Sequence, residues 1–356
     1  MKQQLLTHPV QFLSGMFSAN GGFNFSDTSQ PLLYAQYQFL QYINVFLSLI
    51  SFNNFYTNTL LFSFPVFAGS MALFKVFYKV FKKPLPALCA LLLPSVLFWT
   101  SELYKDGIFY MAISYFFYFL LQPGRATVRK LILLLICVLL MLMSRANAFI
   151  TLLPAVAFFL LTEKKSLSRG LVAGAIITTV IITAIVINAS IQGGILARIC
   201  ERQKDFILLE GGSRIFLPAL APSVASFLTV FPVALINGFF QPFPGAGGKL
   251  IYTAFSAELM FMWLIILFAC WLMIRKKTIR LSNFDITCLL FALPGMIMIG
   301  YMVPFAGAII RYRTIYLPFL LAPFVNIICD YPVRRAQVIN DWFRRNVMVS
   351  EIKNIQ

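Results

Sequence analysis

The chain has 356 residues, 60% of them hydrophobic and only 12% charged, with a mean hydropathy of +0.83. A soluble domain carries about 25% charge, and one aqueous core cannot hide this much apolar surface, so a water-soluble fold is excluded. The net charge of +17 does not point to nucleic acid, because the cations recur in short clusters between apolar runs, as the positive-inside rule predicts.

The apolar runs are too long and too weakly alternating for barrel strands. Helices pair every backbone group internally and can therefore stand in lipid. The expected fold is all-α: a polytopic transmembrane helical bundle of about nine or ten spans, each near 20 residues or somewhat shorter. No internal repeat, linker or low-complexity tract divides the chain, which reads as one integral membrane domain over 1–356.

In chain order, 1–58 is an outer-face segment. Within it 32–52 is apolar but carries Gln36, Gln38, Gln41, Asn44 and Ser48. Four of these recur at helical spacing, which predicts an amphipathic interfacial helix; the alternative is a tenth span. With an interfacial helix the chain starts outside without a signal peptide, as if an original first transmembrane helix were missing. A first helix group, 59–191, holds runs at 59–81, 85–100, 107–121, 130–143, 147–162 and 169–191. An outer loop, 192–249, follows. Its apolar part, 215–240, is broken by Pro218, Pro222 and Pro232 and predicts interfacial or re-entrant helices on the outer face. The last three spans, at 250–274, 284–304 and 314–329, lie within 250–329, and a basic tail closes the chain over 330–356.

Lys79, Lys82 and Lys83, then Arg125, Arg129 and Lys130, Lys164, Lys165 and Arg169, Arg275 to Arg280, and the tail arginines Arg334, Arg335, Arg344 and Arg345 all fall on one side if the runs alternate. That side is the cytoplasm, so the C-terminus is expected there. Of six cysteines, five lie in or beside apolar runs and Cys200 in a polar loop; no CxxC pair occurs and no disulfide framework or zinc site is expected. His8 is the single histidine, which removes His-cluster metal chemistry and His-based triads.

Ionisable groups at membrane depth are functional candidates by default, against the alternative that they snorkel to water. Glu102, Lys105 and Asp106 follow the second run. On a helix they would share one face, and paired carboxylates beside a lysine can supply a base at neutral pH; the alternative is a short charged loop in water. Arg145 is the sole charge between two short runs, suited to gripping a phosphate. Arg311 and Arg313 point the same way in an extended segment and diverge on a helix. Glu258, about two turns into the run 250–274, is a partner for one of these arginines. The outer charges Arg198, Glu201, Arg202, Lys204, Asp205, Glu210 and Arg214 mix signs as a solvated helix face does. Gln241 to Lys249, QPFPGAGGK, is glycine-rich but not a P-loop, since Leu250 follows the lysine.

PSVLFWTSELYKDG at 94–107 resembles the P-S-x-x-F-W-x-S-G-x-x-K-[DE] signature of bacterial GT-C-like integral membrane glycosyltransferases. These are grouped with dolichyl-phosphate-mannose-type mannosyltransferases and surface-polysaccharide enzymes. GAIIRYR, with Arg311 and Arg313, resembles a second signature, and NGFFQPFPGAGG resembles a third, written RPFPWE. Departures are Glu102 for glycine, Gln241 for arginine, and Gly245 and Ala246 for Trp-Glu. The resemblance also places a catalytic acid in the first outer loop, where Asp27 is the only acid before Glu102; the chain reads as an N-terminally shortened member.

The resemblance implies a GT-C-like fold and transfer of a sugar from a polyprenyl-phosphate-linked donor to a glycan or lipid acceptor. The reaction would occur at the outer face of a bacterial inner membrane. Asp106, Glu102 and, in reserve, Asp27 are the implied catalytic acids. Lys105, Arg145, Arg311 and Arg313 would hold the phosphate. No organic cofactor is implied, and a divalent metal is left open. Alternatives are an O-antigen or exopolysaccharide polymerase, a lipid-linked-glycan flippase or transporter, and a non-catalytic membrane subunit. No nucleic-acid partner is expected.

Overall fold

A computed structural model describes residues 31–124, 127–164, 168–172, 174, 175, 178, 194–245, 250–275 and 281–330. Asp27, His8 and the basic tail lie outside the described residues, as does most of the predicted span 169–191. The described chain is helical, with one isolated bridge between Arg214 and Phe305. Its helices are α1 (Pro31–Ile50), α2 (Phe55–Phe81), α3 (Pro84–Leu88), α4 (Pro94–Ser101), α5 (Lys105–Leu121), α6 (Val128–Lys164), α7 (Gly194–Ile207), α8 (Val224–Phe240), α9 (Leu250–Arg275), α10 (Asn283–Met302), α11 (Ala306–Arg313) and α12 (Leu317–Asp330).

Four of these, α2, α6, α9 and α10, are long and apolar enough to cross a bilayer, and α11 with α12, bent by 63°, raises the number to five among the described residues. This is a membrane protein with fewer qualifying helices than the nine or ten runs read from hydropathy. Two causes are local. The run 85–100 contains Pro94, which cannot continue a helix, so it divides into α3 and α4. The runs 130–143 and 147–162 join as α6, broken at Arg145, whose φ of −146° and ψ of 73° leave the helical region. Unbroken, its 37 residues would reach about 55 Å, well beyond a hydrocarbon core of about 30 Å.

The chain forms two compact units, one of residues 1–76 and 96–149, the other of 77–95 and 150–356. In the first, the polar residues of α1 divide: Gln41 and Asn44 are exposed, while Gln36, Gln38 and Ser48 are buried. Gln36 Nε2 donates to the Leu142 carbonyl at 3.0 Å, Asn58 Nδ2 donates to Asn44 Oδ1 at 2.9 Å, Ser51 donates to Asn58, and Gln38 is buried. In lipid, polar side chains gain most by bonding neighbouring helices. Tyr56, Leu60, Phe64, Phe67 and Met71 stay exposed along one stripe of α2 at helical spacing, a face for acyl chains.

In the second unit α8 packs along α10, and α12 packs against α9, α10 and α3. The α8–α10 crossing is set by small residues. A methyl group at Gly300 would lie 1.9 Å from the Ala234 carbonyl oxygen, and one at Gly238 would lie 2.3 Å from that of Met296. Only glycine lets the backbones come this close, the usual device where lipid supplies no hydrophobic drive. Phe77, Phe284, Phe291 and Phe319 pack edge to face around the α10–α12 contact.

Gln203, fully buried on α7, ties the outer segment together. It donates to the carbonyls of Pro218 (3.0 Å) and Tyr301 (2.9 Å) and accepts from Leu220 N (2.7 Å). Cys200, expected in a polar loop, is instead buried with Leu220, Val230, Ala234 and Tyr301, and burial pushes its thiol up from the ordinary value. The amphipathic α7 turns its small thiol inward and leaves its charges outside; Arg202 and Asp205 pair at 3.6 Å.

Candidate functional site

The first unit brings together two of the predicted site residues. Asp106 is in the first turn of α5, where a negative charge suits the helix dipole. Its carboxylate is 1% exposed and meets Arg145 Nη2 at 2.7 Å through one oxygen and 2.9 Å through the other. Arg145 reaches it from the break in α6, with 23% of its side chain exposed. Gly107 lets the start of α5 lie against the end of α4, since a methyl group there would lie 2.5 Å from the Thr100 carbonyl oxygen.

Glu102 and Lys105 are half-buried neighbours. Residues 102–104 bend between α4 and α5, so Glu102 and Asp106 do not occupy one helical face. The aromatic rings of Trp99 and Tyr104 flank this bend, 6.2 Å apart.

The second unit holds Arg311 and Arg313, both in the last turn of α11, where two-residue spacing sends them apart. Arg311 is half-buried; its guanidinium lies 4.9 Å from the Tyr312 ring centroid and donates to that hydroxyl at 3.1 Å. Arg313 is 2% exposed and donates through Nη1 to the Gln241 carbonyl at 2.7 Å. That carbonyl caps the end of α8, whose Phe239 carbonyl accepts from Trp263 Nε1 at 3.0 Å. A cation is thus bonded at the negative end of a helix whose last carbonyls lack internal partners.

Glu258, two turns into α9, has the complementary role. Its carboxylate accepts from Ser95 N at 3.1 and 3.2 Å and from Ser95 Oγ at 2.9 Å. Ser95 is the second residue of α4, where backbone N–H groups have no internal acceptor. Ser95, Glu258 and Arg313 line one small crevice with Phe255, Met262 and Leu317. Ser95, which lines the crevice, and the Gln241 carbonyl, which accepts from Arg313, are what residue-type reasoning missed. Pro94 at the first helical position was the available signal for a helix start that exposes N–H groups.

Compared with known proteins, the chain matches no described family, no curated protein and no solved structure.

Proposed function

We propose that this is a membrane glycosyltransferase that uses a polyprenyl-phosphate-linked sugar donor, with GT-C-like organisation, at the outer face of a bacterial inner membrane and with its C-terminus in the cytoplasm. The observation that carries the reading is convergence. Segments that each resemble a signature of such enzymes meet: Ser95 from 94–107 and Arg313 from 307–313 line one crevice, and Arg313 bonds the carbonyl of Gln241 from 237–248.

In this reading Arg311, half-buried at a helix end, grips the donor phosphate. A carboxylate takes the acceptor hydroxyl proton as the new bond to the anomeric carbon forms. The bond from that carbon to phosphate oxygen breaks, and the phosphate leaves with the electron pair, held by guanidinium. Of the two acids in the first unit, taken by itself, Asp106 is buried and clamped by Arg145, which leaves Glu102 as the candidate base there. Lys105 adds charge beside the base.

Arg311→Ala should weaken polyprenyl-phosphate binding to the purified protein by about 1.5–3 kcal/mol, the scale of a hydrogen bond to a charged group. Equal, non-saturable partitioning into wild type and variant would remove the phosphate site and the transferase reading with it.

One observation favours a second reading, transport of a lipid-linked glycan. Helix ends that meet buried charges, as Ser95 meets Glu258 and Gln241 meets Arg313, are a feature of transporter sites. Proteoliposomes loaded with a labelled polyprenyl-linked sugar separate the two, since sugar turning up on an acceptor marks transfer and lipid crossing the bilayer unchanged marks transport.

A further inference from the structure

The crevice at Ser95 has the chemistry of an anion site. The Ser95 backbone N–H and hydroxyl both donate to the carboxylate that lines it, and Arg313 is another of its lining residues. Arg313 is 2% exposed, and its Nε has no hydrogen-bond partner among the described residues, since its known bond to Gln241 runs through Nη1. A buried arginine, a serine hydroxyl and a first-turn N–H with no acceptor inside its eight-residue helix are donors of the kind an oxyanion takes. What meets these donors is the Glu258 carboxylate, two turns into a helix long enough to cross a membrane, taking three hydrogen bonds from one residue.

A carboxylate carried on the same chain is always present at high effective concentration, so it keeps outside anions away. We propose that the cradle of Ser95 and Arg313 is a phosphate-binding site held shut by Glu258, and that a phosphate group occupies it by displacing the Glu258 carboxylate. A phosphate offers three acceptor oxygens to the same donors. The proposal rests on the transferase reading only for the source of that phosphate, a lipid headgroup; the cradle itself is equally suited to free phosphate.

The test uses the full-length protein in detergent, with inorganic phosphate and farnesyl phosphate as probes, read by thermal shift and by phosphorus resonance broadening. Glu258→Ala should bind at least one probe about tenfold or more tighter than wild type. The double variant Glu258→Ala, Ser95→Ala should lose most of that gain. Equal affinity in wild type and a folded Glu258→Ala overturns the proposal. If Glu258→Ala does not fold, Glu258→Gln, which keeps the size and one acceptor oxygen, must show the gain, and its absence also overturns it. A gain for farnesyl phosphate alone assigns the site to a lipid headgroup; a gain for both probes assigns it to phosphate as such. A gain in the variant with no polyprenyl-phosphate binding by wild type leaves the cradle standing and removes the transferase reading.

Discussion

Asp106 and Arg145 are the residues whose chemistry is most constrained by what surrounds them. A buried carboxylate with one guanidinium nitrogen on both oxygens is a neutral unit. Removing one partner takes this ion pair away from the charge that remains. Asp106→Ala and Arg145→Ala should therefore each lower stability by about 3–5 kcal/mol, while Asp106→Ala with Arg145→Leu should cost much less, because replacing both partners avoids that penalty. Denaturant titration of the four proteins in micelles checks this, and additive losses would mean the pair is not coupled. Arg145 is consequently a poor probe of substrate phosphate, since its loss confounds binding with folding, and Arg311 is the better one. The sequence marked all these residues as expensive in lipid. It did not tell which charge meets which, because Asp106 and Arg145 are 39 residues apart and a single sequence carries no pairing signal.

Among the elements, the α8–α10 contact depends on the absence of side chains. Gly300→Val should push these helices apart, with a loss of about 1–3 kcal/mol or more from overpacking. A matching Ala234→Gly change should recover little, because the clash is with the Ala234 backbone carbonyl rather than its methyl group. Thermal stability of the single and double variants decides this. Gln203→Leu, by contrast, deletes no large volume but strands the Leu220 N–H and two carbonyls. A loss of about 1–3 kcal/mol for a stranded group is expected, and limited proteolysis should then cut first between α7 and α8. Element boundaries were legible wherever apolar length and basic flanks agreed, as for α9 and α10. They were legible too at Arg145, where the break between the runs 130–143 and 147–162 is the point at which the chain leaves the helix, but not at 85–100, where the apolar average hid Pro94.

At the scale of the molecule, the helical membrane character followed from composition, while among the described residues fewer helices than apolar runs are long enough to cross. Hydropathy counts apolar residues and is blind to whether a run is one straight helix. Orientation is a separate property that the basic clusters address. If α10 crosses the bilayer, Ser282 at its start and Gly212, whose neighbours Ser213 and Ile215 bond to Ala306 and Pro304 beyond its end, belong to opposite sides. Gly212→Cys should react with a membrane-impermeant maleimide added outside intact cells, and Ser282→Cys only after the membrane is opened. The reverse pattern would invert the topology and put the Arg311 site in the cytoplasm.

The Asp106–Arg145 pair also sets a problem of timing. A chain made at roughly 5–20 residues per second delivers the arginine about 2–8 s after the aspartate. During that interval Asp106 lacks the guanidinium it later bonds, and an aspartate placed in mid-helix within a membrane would cost about 2.5–3.5 kcal/mol. Asp106 is at the leading end of α5 rather than its middle, so it can wait in the headgroup layer until its partner is made. The ion pair is then the last step in seating α5, and a ribosome stalled before Arg145 should leave that helix shallow in the bilayer.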